Sequence, residues 1–169
     1  SERIEHRIAI PQHQDVAAIT NVDIISMEKE GLIEKATIVW KQGKIINIGS
    51  LTTGYALAKV PVYTATKGAV GQLTKSQAVE FGPYNIQVNA ICPGFIVTSL
   101  TEKMWSDQNM RTWGEQRCAL NRIGTPADLV GTAVFLASAG SDYVTGQSIY
   151  VDGGFMAGDD WPLPAAAAK

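Results

Sequence analysis

The sequence is poor in the residues that would hold a metal ion or a covalent framework. Its two cysteines, Cys92 and Cys118, and its two histidines, His6 and His13, are scattered, without the short spacings of a metal site or a disulfide scaffold. No metal is expected, and reduced thiols in a cytoplasmic protein are. An excess of basic residues is missing as well. Against 16 Asp and Glu stand 14 Lys and Arg, a net charge of −2, which excludes the electrostatic footprint of a nucleic-acid-binding protein. A long apolar run is also lacking: the longest weakly polar one, residues 129–140, is about a dozen residues where about 20 are needed to span a bilayer. The opening stretch SERIEHRIAI is charged where a secretory signal has its apolar core. Internal repeats and low-complexity linkers are absent, and only the tail PLPAAAAK is biased in composition, so fraying is expected there.

What remains is an ordinary globular composition, 46% hydrophobic and 18% charged over 169 residues, which predicts one domain spanning 1–169 with its own core. The run GKIINIGS (43–50) is apolar, β-branched and bounded by glycines, and predicts a buried strand. Pro61 to Phe81 carries apolar or small residues at helical spacing (Val62, Ala65, Ala69, Leu73, Ala78) and predicts a helix. A second buried strand is expected in NIQVNAICPG, stopped by Pro93-Gly94. Residues 98–118 are polar, with Met104, Trp105, Met110 and Trp113 scattered through them, and suggest a mobile helical flap. TPAD at 125–128 has the form of a capping box, with Thr125 as N-cap and Asp128 reaching back, opening a helix to about Ala139. A third strand, QSIYVDGG, closes in glycines. Strand, helix, strand, helix, strand predicts an α/β protein with a doubly wound parallel sheet.

In such sheets ligands bind at the carboxyl ends of the strands. Ser50, Pro93-Gly94 and Asp152-Gly153 follow the three strands and converge on one rim. On the intervening helix, Tyr63 and Lys67 stand at i and i+4 and share a face. A tyrosine is a poor base at neutral pH, but an ammonium within about 6 Å favours the phenolate and brings it into range for acid–base work. Taken alone, Tyr-x-x-x-Lys is also the pattern of a plain surface pair, and Ser50 that of a turn serine.

GKIINIGS, YTATKGAV with its tyrosine 13 residues after the serine, NIQVNAICPGFIVTSL and RIGTPADLVGTAVFLASAGSDYVTGQSIYVDGG together resemble the classical short-chain dehydrogenases/reductases, in order and spacing, over residues 43–156. The resemblance implies a Rossmann-like sheet and an NAD(P)-dependent oxidoreductase interconverting a secondary alcohol and a ketone. Ser50 would orient the substrate oxygen, Tyr63 exchange the proton, and Lys67 favour the tyrosine's ionised form and bind the nicotinamide ribose. Pro93, Gly94 and Ile96 would line the nicotinamide, and Thr98 contact its carboxamide. Residues 99–118 would cover the substrate, expected to be a small cyclic ketone, sugar or polyol. The family's subunit contacts imply a homodimer or homotetramer.

The sequence departs from that family at the front. The family's glycine-rich turn, T-G-x-x-x-G-x-G, and its N-N-A-G stretch are not in this sequence, whose first 42 residues hold one glycine, Gly31. Residues 20–36 are weakly similar to the family's third strand and following helix, with Asp23 near the aspartate that contacts adenine. The expectation is therefore an incomplete sheet, with 1–42 poorly matched, 43–156 the catalytic half and 157–169 a tail. Either the chain is an abridged form of a full enzyme, or it is truly truncated. The alternative function is a non-catalytic relative that packs with partner subunits. NAD and NADP are both left open.

Overall fold

The structure is a computed structural model that describes the backbone of residues 16–26 and 31–41 and, with side chains, residues 43–159 and 161. The expectations for His6, His13 and the tail 162–169 lie outside the described residues.

Three parallel strands carry the fold: β3 (Lys44–Ile48), β4 (Gln87–Pro93) and β5 (Ser148–Val151). Their registers run Lys44↔Gln87 to Ile48↔Ile91 and Ala90↔Ser148 to Pro93↔Val151. In β4, the middle strand, every residue from Gln87 to Cys92 is buried, as expected of a parallel strand covered on both faces. The crossover from β3 to β4 is α1 (Pro61–Phe81), and the one from β4 to β5 passes through α2 (Glu102–Trp105), α3 (Gln108–Arg117) and α4 (Ala127–Ala137). The three strands and α1 agree with the sequence reading, and α1 does so to the residue.

Pro61 suits the first turn of α1, where its missing N–H has no helical partner to lose. Gly82 and Pro83 end the helix, and Asn85 turns the chain into β4 with φ 57°. The face of α1 that meets the sheet differs from the expected stripe. Val62 and Leu73 point to solvent, 74% and 50% exposed, while Gly71, Thr74 and Ala78 are buried. Small residues win that face because the helix lies close to its support: a Cβ on Gly71 would stand 2.6 Å from Thr53 Cγ2. Ala78 packs with Ile86 and Val88, backed by Ile45 and Phe81. Asn47 Nδ2 in β3 donates to Thr74 Oγ1 at 3.0 Å and to Gln77 Oε1 at 3.1 Å. Tyr63, Lys67, Gly71, Thr74 and Ala78 follow the 4-4-3-4 spacing of one helical stripe, so packing Ala78 and Gly71 also points the Tyr63–Lys67 pair toward the strand ends.

The front of the chain corrects the sequence reading. Two antiparallel strands, β1 (Val16–Ser26) and β2 (Gly31–Lys41), pair from Val16↔Lys41 to Ser26↔Gly31, with register shifts around Val22. They occupy the span where a strand and a following helix were expected. β2 joins β3 only at Lys41↔Lys44, so the sheet is mixed, in the order β1-β2-β3-β4-β5. The run Thr37-Ile38-Val39-Trp40 is β-branched and aromatic, a composition that favours an extended ladder over a helix.

Candidate active site

The site is built where β3 and β4 end. Gly49 N donates to Ile91 O at 2.8 Å and Gly94 N to Val151 O at 3.0 Å, which carries the ladder past each strand and fixes both rim segments. Neither glycine leaves room for a side chain. A Cβ on Gly49 would stand 2.6 Å from Cys92 Sγ and 2.7 Å from Thr53 Oγ1, and one on Gly94 2.6 Å from Asp152 Cα.

Ser50 begins a 3-10 turn, Leu51–Thr53, and closes it with a capping box. Its Oγ accepts from Thr52 N at 3.2 Å, and its own N–H donates to Thr53 Oγ1 at 3.1 Å. The Thr53 hydroxyl then donates to Lys67 O at 3.0 Å, so a single hydroxyl ties the serine turn to α1. Lys67 Nζ donates to Ile48 O at 3.0 Å and lies 5.9 Å from the centroid of the Tyr63 ring, within the range of a cation–π contact. The Tyr63 ring is half exposed at the mouth of a cavity of about 440 Å³. Ser50, Tyr63, Lys67, Pro93, Gly94, Ile96 and Thr98 all line that cavity. The structure thus brings these seven residues together, whereas Asp152 and Gly153, expected on the same rim, line a neighbouring pocket with Leu120 and Arg122.

The far wall comes from Thr101, Met104 and Trp105, within the segment expected to cover the substrate, and from Pro126 and Leu129, which the sequence did not single out as site residues. Residues 98–118 are helical as expected, but the segment is docked. Trp105 is 2% exposed, packs on Phe95 with ring centroids 5.2 Å apart, and donates Nε1–H to Ile96 O at 3.3 Å. Thr101 Oγ1 donates to the same carbonyl at 2.7 Å. Phe95 also meets Trp113 and Phe155, and Phe155 meets Tyr55, so a row of aromatic edges runs behind the cavity. Trp105 was legible as a large side chain in a polar run, but its target, nine residues back, was not.

Ile96 is held from its other side by Gly124. Gly124 N donates to Phe95 O and Val97 N to Gly124 O, each at 2.9 Å. The next turn is fixed by Asp128, whose carboxylate accepts from both Arg122 Nη atoms, at 2.9 and 2.7 Å, and from Thr125 N at 2.7 Å. The bidentate guanidinium, helped by the Thr125 N–H, holds the Asp128 carboxyl well below the usual carboxylate range. Asp128 therefore reaches back as expected. The Thr125 hydroxyl donates to that carboxylate at 3.1 Å, while Asp128 N bonds to Thr125 O rather than to a side chain. α4 consequently opens one residue later than expected, with Pro126 at its N-cap and no side-chain cap.

Beneath the rim lie two free, buried thiols. Burial, with the Asp152 charge adding to it, pushes the Cys118 thiol up, and burial with Cys92 and Asp152 does the same to the Tyr150 phenol. Both groups therefore stay protonated at neutral pH.

A family model described as Enoyl-(Acyl carrier protein) reductase matches residues 11–156. The chain is 47% identical over 115 residues to 2-dehydro-3-deoxy-D-gluconate 5-dehydrogenase of Dickeya dadantii (strain 3937), covering 68% of this chain and 46% of that protein. It is 36% identical over 142 residues to 5-keto-D-gluconate 5-reductase of Escherichia coli (strain K12), covering 84% and 55%. Among solved structures, a gluconate 5-dehydrogenase from Burkholderia cenocepacia J2315 in complex with NADP and tartrate superposes with a TM-score of 0.67 at 41% identity. That match covers 69% of this chain and 46% of the other. The chain spans about half the length of the curated relatives it matches.

Proposed function

The chain belongs to the short-chain dehydrogenase/reductase family, and from that premise we propose that it supplies the catalytic rim of an NAD(P)-dependent oxidoreductase interconverting a secondary alcohol and a ketone. The observation that carries the proposal is the single cavity onto which Ser50, Tyr63 and Lys67 all open, two strand ends forming its floor. Its volume of about 440 Å³ falls in the ordinary range for small-molecule sites.

The residues present fit the nicotinamide–ribose half of a dinucleotide. Lys67 brings a cation and hydrogen-bond donor for ribose hydroxyls, Pro93, Gly94 and Ile96 offer a flat, largely apolar wall, and Thr98 adds a polar group at its end. When bound, the nicotinamide supplies or takes up the hydride. The phenol of Tyr63 gives a proton to the substrate oxygen in reduction and recovers it in oxidation. Ser50, fixed by its own capping box, holds that oxygen beside the phenol. The Lys67 ammonium is oriented by Ile48 O and stabilises negative charge developing on the phenolic oxygen as its proton leaves. No metal enters the scheme.

A polyhydroxylated acid of the gluconate type is the proposed substrate. The likeness to relatives named for gluconate and its keto derivatives supports it. The free thiols Cys92 and Cys118 suit a reducing compartment such as the cytoplasm, and among the described residues no helix is long and apolar enough to cross a membrane. A homodimer or homotetramer is the proposed assembly. Exposed apolar side chains support it: Val62, Leu73 and Val79 on α1 and Val130, Val134 and Phe135 on α4. The same surfaces favour the second reading, a non-catalytic relative that packs with partner subunits.

The test is a spectrophotometric assay of this protein with 5-ketogluconate and reduced NAD or NADP, beside its Tyr63→Phe variant. Turnover that disappears in the variant supports the enzyme. Binding of partner chains without turnover, under conditions where a relative of twice the length is active, selects the second reading.

A further inference from the structure

The hydroxyls of Thr98 and Thr101 form a directed chain. Thr101 Oγ1 lies 2.7 Å from the carbonyl oxygen of Ile96. A carbonyl only accepts, so the Thr101 proton lies on that bond. The alternative acceptor, Thr98 O, is at 3.5 Å, too long to compete. Trp105 Nε1 donates to the same Ile96 carbonyl, which fixes that oxygen in place. Thr101 Oγ1 in turn accepts the Thr98 N–H at 2.9 Å. With its one proton committed, Thr101 meets the Thr98 hydroxyl, 3.1 Å away, only as an acceptor. Thr101 Oγ1 is therefore the acceptor open to the Thr98 proton, and Thr98 Oγ1 receives the Thr101 N–H at 3.3 Å. With its proton on that bond, what Thr98 Oγ1 has left for the cavity it lines is a lone pair.

We propose that Thr101 is a positioning residue that makes Thr98 an obligate hydrogen-bond acceptor, so that this point of the cavity selects a ligand carrying an N–H donor, such as a primary carboxamide. The inference rests on the cofactor reading above and deepens it, because it assigns the polarity of one contact to a residue that does not itself make it. A ligand in which a methyl ketone replaces the carboxamide has no N–H to offer there. The Thr98 lone pair would then face a methyl group or a second acceptor, and Thr98 could donate to the ketone only by giving up its own bond to Thr101.

The experiment is a titration, by calorimetry or ligand-observed NMR, with nicotinamide mononucleotide and its 3-acetylpyridine counterpart. Both need only the nicotinamide–ribose half of the site, and the readout is binding rather than turnover. The wild-type protein should prefer the carboxamide by roughly three- to tenfold, the size of one net hydrogen bond. Thr101→Ser keeps the hydroxyl and should keep that preference. Thr101→Val keeps the shape and loses the hydroxyl, and its preference should collapse to less than about twofold. Thr98→Val should do the same, and Thr101→Ala, which also removes the hydroxyl, decides the matter if Thr101→Val does not fold. A Thr101→Val protein that discriminates like wild type, or a Thr101→Ser protein that does not, overturns the inference. Equal wild-type binding of both ligands also overturns it while leaving the cofactor reading intact. Binding of neither ligand by the wild type removes both.

Discussion

Lys67 Nζ, on the second turn of α1, donates a 3.0 Å hydrogen bond to Ile48 O, the last carbonyl of β3. The backbone of the same lysine accepts from Thr53. Main chain and side chain of one residue are thus both tied to the segment that carries Ser50, and the spacing of serine, tyrosine and lysine is set by a helix docked on a strand end.

Replacing Lys67 by Met should cost more in function than in stability. The lost side-chain bond contributes about 0.5–1.5 kcal/mol, whereas the charge that supports proton transfer and the donor for ribose hydroxyls are both removed. A fall in kcat/KM of at least about 10²-fold is expected, together with a raised KM for the dinucleotide. Steady-state kinetics at saturating substrate decide it, and an unchanged dinucleotide KM would take Lys67 out of the binding site.

Tyr63→Phe should lower kcat by about 10²–10⁴-fold and leave dinucleotide affinity within about threefold. The ring still packs and only the proton is gone. Retention of more than about a tenth of the activity would mean that another group exchanges the proton.

Gly49→Ala places a methyl within 2.6 Å of Cys92 Sγ and 2.7 Å of Thr53 Oγ1. The buried thiol has little room to retreat, so a loss of about 1–3 kcal/mol is expected. Activity should fall as well, because Thr53 holds both Ser50 N and Lys67 O. Thermal melting should show Tm lowered by several degrees, and an unchanged Tm would mean that the strand end yields at no cost.

Asp128 makes a pH-dependent contribution whose sign follows from its partners. Its folded carboxyl lies below the ordinary range, so the stabilisation is complete above the unfolded value near 4 and is lost as pH falls toward the folded value. Asp128→Asn should be less stable than wild type in urea at pH 7, and the two midpoints should approach each other at about pH 2–3. A constant gap across that range would assign the effect to packing rather than to charge.

Residues 98–118 should become harder to cleave when dinucleotide and substrate are both bound. Met104 and Trp113 remain 42% and 41% exposed beside a cavity-lining wall, surface that a ligand beneath the helices would draw in. Limited trypsin digestion, followed at Arg111, tests this, and equal rates with and without ligands would argue against closure.

Sequence by itself determined the elements whose cause is local. Pro61 and Gly82-Pro83 bracket α1, apolar β-branched runs bounded by glycine mark β3 and β4, and Tyr63 and Lys67 share a face because four residues make about one turn. The rim set from Ser50 to Thr98 was legible for the same reason, since each member sits at a punctuated strand end or on that one helix. Tertiary structure alone decided the rest. Val62 and Leu73 look like core on periodicity, but the close approach of α1 to Thr53 admits only small side chains, so Gly71 and Ala78 face inward and the larger residues face out. The strand pairing of β1 with β2 depends on a partner strand, which no single window of sequence displays. Thr101 and Trp105 act through Ile96 O, and Gly124 holds the same segment from nearly thirty residues away. Such contacts arise only when the chain folds back on itself, because a hydrogen bond is fixed by distance in space and carries no trace in the order of the residues.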